Sequence, residues 1–346
     1  MKKLELRDKD KQILKLIVES YLKIGQPISS GLLVQKYKLS YSPATIRNIM
    51  VKLEDYGFLS QPHTSAGRLP TDKGLRYFVN SLLAETLFPQ AAVDFFAADF
   101  SSRGDLNSLL VQASKILADY SGNLGFVLSP RISRVNFHHL RFIKIAENKV
   151  MTILVTPFNL VLTEIVQTST YFTQFELEKA SEYINQNFSG KSLSVVRDYL
   201  WKELPEHKLR YETTLNKLIT LLRSSLLQEE KETHLFLQGT SKLLEKAELF
   251  DMSRLKALFQ NFEEKAKLAK LLSDFISLDR VKVLIGSEAQ DPDISDCSLI
   301  LSHYGSENQV LGSLGIIGPK RIPYEQIIPL VDIVAQKLSQ AIKHNT

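Results

Sequence analysis

Cysteine is almost absent from this sequence, Cys297 being the single one. An intrachain disulfide and a thiolate metal cluster are thereby excluded, and the apolar neighbours of Cys297 point to packing rather than nucleophilic chemistry. No apolar run approaches the roughly 20 residues that a membrane helix needs, and no basic stretch leading into an apolar one opens the chain. A cytoplasmic location without a membrane partner is therefore expected. Repeats and low-complexity tracts are missing. So are the GxSxG elbow, the HExxH helix and any cysteine and histidine pair with a plausible partner, which argues against an enzyme.

Three apparent sites dissolve on inspection. His138 and His139 are adjacent on a predicted strand and so point to opposite faces, where they cannot easily share a metal. Asp291, Asp293 and Asp296 crowd one loop, but the glycine and distal glutamate of a calcium loop are missing. Gly312, Gly315 and Gly318 lack the strand-to-helix context and the lysine of a phosphate loop, and read as tight turns or close strand packing. Neither a metal nor a cofactor is expected.

What is present is a strongly uneven charge. The 346 residues suffice for two or three domains with sizeable cores. Residues 1–80 hold 14 lysines and arginines against 7 acidic residues, whereas the remainder carries a balance of −2. A basic module on a near-neutral body suggests a polyanion partner, because neutralising phosphates releases counterions and supplies affinity independent of sequence.

Ser42 to Arg76 is the most informative stretch. Ser42 can cap a helix, Pro43 suits its first position and Gly57 can end it. Ile46, Ile49, Met50 and Leu53 make one apolar face, leaving Ala44, Thr45, Arg47, Asn48 and Lys52 on the other. Phe58 to Gln61 and Arg68-Leu69 can pair as short strands around the turn His63 to Gly67, with Pro62 and Pro70 tolerated at an edge. Upstream, residues 8–23 form an amphipathic helix ending before Gly25, and Ser29 or Ser30 can cap a short second one. Three helices and a hairpin make a winged helix, whose third helix enters the major groove by its N-terminal end. Asn48 can then pair twice with an adenine edge, and Arg47 can do so with guanine or grip phosphate. Ser42, Thr45 and Lys52 are better placed for phosphates; Gln61, His63, Thr64, Ser65 and Arg68 offer polar groups on the wing, where Gly67 allows close approach. The alternative for each is a solvated surface side chain.

Beyond the wing a helix from Thr71-Asp72 through Leu83 carries the chain away, Pro89 marks a boundary, and Ser101 to Gly104 reads as a linker. A helix over 106–120 leads into strands at Gly125 to Leu128, Leu140 to Ala146, Val150 to Val155 and Leu160 to Val166, expected to form one antiparallel sheet. Helices follow over 175–187, 193–203, 208–229 and 253–275, interrupted by a short strand at His234 to Leu237. Strands return at 281–285, 297–302 and 309–316, with a final helix over 323–343. Strands, then helices, then strands imply an α+β domain split by a helical insert.

The segments SPATIRN, LEDYG and above all QPHTSAGRLPTDKG resemble the heat-inducible transcription repressors of the HrcA family. The resemblance extends to Leu284 to Glu288, Leu301 to Tyr304 and Leu311 to Pro319. It departs at Ile49, where an acidic residue is usual, and at Gly31, where an arginine is. The resemblance implies a winged helix over 1–88, a linker over 89–105, and a GAF-like domain over 106–169 and 279–346. Residues 170–278 would be an inserted dimerisation domain. It further implies a homodimer that binds an inverted-repeat DNA operator, the CIRCE element upstream of chaperonin and heat-shock operons, and blocks transcription until heat stress, with the chaperonin GroE as a further partner. A ligand sensor acting through the GAF-like domain is the alternative.

Overall fold

Local caps set several ends of the N-terminal helices. In the computed structural model the described residues are 6–63, 66–84, 105–130, 135–157, 160–168, 170–203, 235–250, 280–306 and 309–344, with positions 253, 256 and 260. Helix α1 (Asp8–Ile24) stops at Gly25, whose φ of 75° is left-handed geometry that glycine adopts without a steric penalty. Ser29 Oγ accepts from the Leu32 N–H at 3.2 Å and opens α2 (Ser30–Tyr37). Ser42 does the same for the Thr45 N–H ahead of Pro43, opening α3 (Pro43–Asp55). Ile13, Leu14, Ile17 and Val18 of α1, Leu33 of α2, and Ile46, Ile49, Met50 and Leu53 of α3 bury together. The chain then forms a short antiparallel ladder of β1 (Leu59–Ser60) and β2 (Leu69–Pro70). Helix α4 (Asp72–Ala84) packs on α1 and buries Leu75, Phe78 and Val79.

Helix α5 (Leu106–Ser121), capped by Asp105, leads into β3 (Leu124–Leu128). A meander follows, β4 (His139–Ala146), β5 (Lys149–Val155) and β6 (Val161–Gln167), and then α6 (Gln174–Phe188) and α7 (Leu193–Glu203). Thr173 and Glu176 form a reciprocal capping box at the start of α6. The remaining elements are β7 (Leu235–Gln238), α8 (Thr240–Leu244), β8 (Val281–Ile285), β9 (Cys297–Ser306), β10 (Gln309–Pro319) and α9 (Tyr324–His344). The helices expected over 208–229 and 253–275, apart from helical positions 253, 256 and 260, lie outside the described residues, as does most of the linker expected over 89–105.

Two sheets stand where one was expected after α5. Strand β3 belongs to a five-stranded antiparallel sheet in the order β7-β3-β10-β9-β8, whereas β4, β5 and β6 form a separate three-stranded sheet. The short strand near 235 does not merely interrupt helices; it pairs with β3, Leu128 opposite Leu235, at the edge of the larger sheet. Alternation tells which side chains point inward but not which strand supplies the hydrogen-bond partner, so these pairings are not encoded locally.

Both faces of the larger sheet are covered. Helices α5 and α9 pack on one, over Val127, Ile300, Tyr304, Leu314 and Ile316. On the other, Leu124, Phe126, Leu299, Leu301 and Ile317 meet Leu243, Phe250, Ala289 and Ile294. Gly312, Gly315 and Gly318 all lie within β10, where an added Cβ would run into Tyr304, the Ile300 backbone and Asn123 respectively. They serve close packing rather than turns. Cys297 is buried beside this cluster, and burial pushes its thiol up to about 12, far from a thiolate at neutral pH. No described helix is long and apolar enough to cross a membrane. Among the described residues no three potential metal ligands cluster.

Candidate nucleic-acid interface

Helix α3 presents a single uncovered stripe. Ala44, Arg47, Asn48, Val51 and Asp55 are exposed at helical spacing, while Ile46, Ile49, Met50 and Leu53 face the core. Ile49, where the family resemblance leads one to expect an acid, thus belongs to the packing face at 8 % exposure. The N-terminal turn of α3 is open, and its Ser42 cap is reinforced by a 3.0 Å contact between the Ser42 and Thr45 hydroxyls. Both hydroxyls already serve the helix start, although Ser42 stays exposed. Gly31 on α2 faces open space.

The hairpin is held to the three helices by the middle of the chain's first loop. Ile28 and Arg68 exchange both backbone hydrogen bonds at 2.9 Å, adding a one-residue third strand. Gly67 is needed here: a Cβ would strike the Ile28 backbone, so its bare α-carbon serves the hairpin base rather than an approach to a ligand. Thr71 donates its hydroxyl to Gly57 O at 2.7 Å and Lys73 Nζ reaches Tyr56 O at 2.6 Å, closing the hairpin against the end of α3.

Several residues chosen from sequence as ligand contacts have structural partners. Lys52 pairs with the buried carboxylate of Asp10 on α1. Arg68 Nε lies 2.9 Å from Glu54 Oε2 with its side chain only 13 % exposed, an ion pair without the alignment of a full hydrogen bond. Gln61 Nε2 donates to Ala66 O at 3.1 Å across the hairpin turn. His63 is exposed at the tip, and Thr64 and Ser65 lie outside the described residues. Ala44, Arg47 and Asn48 stand together on one open face. Val51 extends that face by one turn and was not selected from sequence, although its spacing from Arg47 and Asn48 marked it. Lys38, exposed in left-handed geometry (φ 47°) between α2 and α3, was also missed.

The arrangement presents a short amide and a guanidinium on a helix flank with a small residue ahead of them, beside a polar hairpin tip. Such a flank fits a groove lined by hydrogen-bonding base edges and phosphates.

The family model described as "HrcA protein C terminal domain" matches residues 107–328. The heat-inducible transcription repressor HrcA of Methylococcus capsulatus is 36 % identical over 343 residues, 99 % of this chain and 97 % of that protein. The protein of the same name from Geobacter sulfurreducens is 33 % identical over 340 residues, 98 % of this chain and 99 % of its own length. A crystal structure described as that of a hypothetical protein, at 23 % identity, superposes with a TM-score of 0.64 over 99 % of this chain and 100 % of its own, which supports the mixed helix-and-sheet fold. The chain belongs to the HrcA family of heat-inducible transcription repressors.

Proposed function

We propose that this chain is a cytoplasmic, homodimeric transcriptional repressor whose N-terminal unit is a winged helix reading an inverted-repeat, CIRCE-like operator upstream of chaperonin and other heat-shock operons. The observation that carries the reading is the exposed Ala44, Arg47, Asn48 and Val51 stripe at the open end of α3. Asn48 would read adenine, Arg47 guanine or phosphate, and Val51 a thymine methyl, with Ala44 letting the helix approach closely. Ser42, Thr45, Lys38 and the hairpin tip with His63, Thr64 and Ser65 would position the helix on the backbone. Repression follows from occupying the promoter, and heat relieves it by unfolding or releasing the repressor; GroE as a restoring partner rests on the family alone.

The sheet topology supports a redrawn division of the remainder. A GAF-like domain would comprise 106–128, 235–250 and 281–344, because those segments share one sheet, and the insert would begin after Leu128 rather than at 170. Helix α6 packs on the face of the smaller sheet where Phe142, Val150, Leu154, Leu162 and Val166 are buried. The opposite face carries Ile143, Met151 and Ile165 in one row, with Val161 54 % and Ile165 49 % exposed. A second copy would bury it isologously, and two-fold symmetry would set two recognition helices one helical turn of DNA apart. The paired substitutions Val161→Glu and Ile165→Glu are expected to convert dimer to monomer in sedimentation and to abolish preference for a palindrome over a half-site. A dimer that survives both places the interface elsewhere. Footprinting on a chaperonin promoter at two temperatures tests the whole reading: protection of both repeat arms that disappears on heating is expected, and absence of protection at low ionic strength overturns it.

A second reading, a ligand-responsive regulator, is favoured by one feature. An open groove of about 290 Å³ between β9 and α9 is lined by Arg280, His303, Asp332 and Gln336, and the buried His303 Nδ1 has no hydrogen-bond partner among the described residues. The Arg280 Nε already donates to Asp332 Oδ1 at 2.7 Å, which leaves little charge to attract an anion. A thermal midpoint raised by a metabolite pool supports this reading; none across a broad pool eliminates it.

A further inference from the structure

The N-terminal unit does not merely precede the larger sheet; it is clamped to one end of it. Asp72, in the first turn of α4, receives Lys320 Nζ at 2.8 Å and the Ser287 backbone N–H at 3.2 Å. One turn along, Arg76 places Nε 2.7 Å from Glu288 Oε1 and Nη2 against Glu288 Oε2, and the same Nη2 donates to Val283 O at 2.6 Å. Glu288 is itself oriented by the Ile285 N–H, which donates to Oε2 at 2.9 Å. From the β10 to α9 connection, Arg321 donates to Leu22 O and Lys23 O at 3.2 and 3.4 Å, satisfying carbonyls at the C-terminus of α1. Glycines on both sides allow the approach. A Cβ on Gly25 would strike the Arg321 guanidinium, and one on Gly286 would strike Asp72 and Lys320.

We propose that Asp72, Arg76, Glu288, Lys320 and Arg321 are positioning residues that set which operator half-site spacing the dimer accepts. The proposal rests on the DNA-binding reading above. These contacts tie the N-terminal unit to the larger sheet through both α1 and α4. The clamp restrains it strongly: α4 and α1 share a core with α3, so fixing their ends fixes the direction of the exposed stripe relative to the sheet. In a two-fold dimer the separation of the two stripes is then a property of the clamp. A palindrome whose arms match that separation engages both stripes at no further cost, whereas a mismatched one must open the clamp or bend the DNA. All five side chains are remote from the stripe in sequence and lie on other elements, so their loss should leave one stripe's grip on one half-site unchanged.

The experiment uses the full-length protein with two kinds of duplex: an isolated half-site, and palindromes whose central spacer varies one base pair at a time. For Arg76→Glu, half-site affinity within twofold of wild type is expected, with at least a tenfold loss on the best palindrome and a flattened preference across spacers. The swap Arg76→Glu with Glu288→Arg should restore most of both. Lys320→Gln, on the opposite side of the clamp, provides a milder second variant should Arg76→Glu fold poorly, and should flatten the preference in the same direction. An unchanged spacer preference in folded Arg76→Glu or Lys320→Gln overturns the proposal, as does a half-site loss equal to the palindrome loss. Wild-type protein that binds none of the duplexes overturns the DNA-binding reading instead.

Discussion

Replacing Lys52 with methionine is expected to destabilise the N-terminal unit by about 3 kcal/mol, because it leaves the Asp10 carboxylate charged and unpaired in a site that is only 4 % exposed. An exposed ion pair would contribute about 0 to 1 kcal/mol, and a fully enclosed one about 3 to 5 on losing a partner. Lys52 is 34 % exposed and Asp10 is not, so the lower end of the second range applies. Hydrogen exchange of the α1 and α3 amides in full-length protein reads this directly. The double substitution Asp10→Asn with Lys52→Met should recover most of the loss, since no buried charge is then left over. A lysine that instead met phosphate would leave exchange unchanged and lower the salt dependence of DNA binding by about one phosphate contact. That pattern would return Lys52 to the contact surface.

The second large effect falls on affinity rather than stability. Arg47→Ala and Asn48→Ala each remove an exposed group with no structural partner among the described residues, so folding should be nearly untouched while operator binding falls by about 1 to 3 kcal/mol per contact, about fivefold to more than a hundredfold. Asn48→Ala should relax preference at one base position in each arm, and Arg47→Ala should also reduce the salt slope if it grips phosphate. Competition between operators differing at single positions separates the two. Arg68→Ala, read from sequence as a general backbone contact, is expected to act differently. With its side chain largely covered and paired to Glu54, its loss should loosen the hairpin base at Ile28 and slacken binding only through that movement. Equal affinity losses for Asn48→Ala and Arg68→Ala, with no loosening of the Ile28 amide, would count against this division of roles.

Composition, periodicity and capping residues by themselves determined the elements of this protein. Ser29, Ser42 and Asp105 cap helices through bonds of one turn, Gly25 and Gly57 end them through left-handed φ, and apolar spacing alone selects Ile46, Ile49, Met50 and Leu53 as the inner face of α3. These are interactions within a few residues, so they are readable along the chain. Only the tertiary structure decided how the charges are used: Lys52, Arg68 and Arg76 look equally available in sequence, yet each meets an acid 42, 14 or 212 residues away. It decided equally that β3 joins β10 and β7 rather than β4, because sheet pairing and ion pairing depend on which distant segments fold against one another, and no local pattern carries that choice.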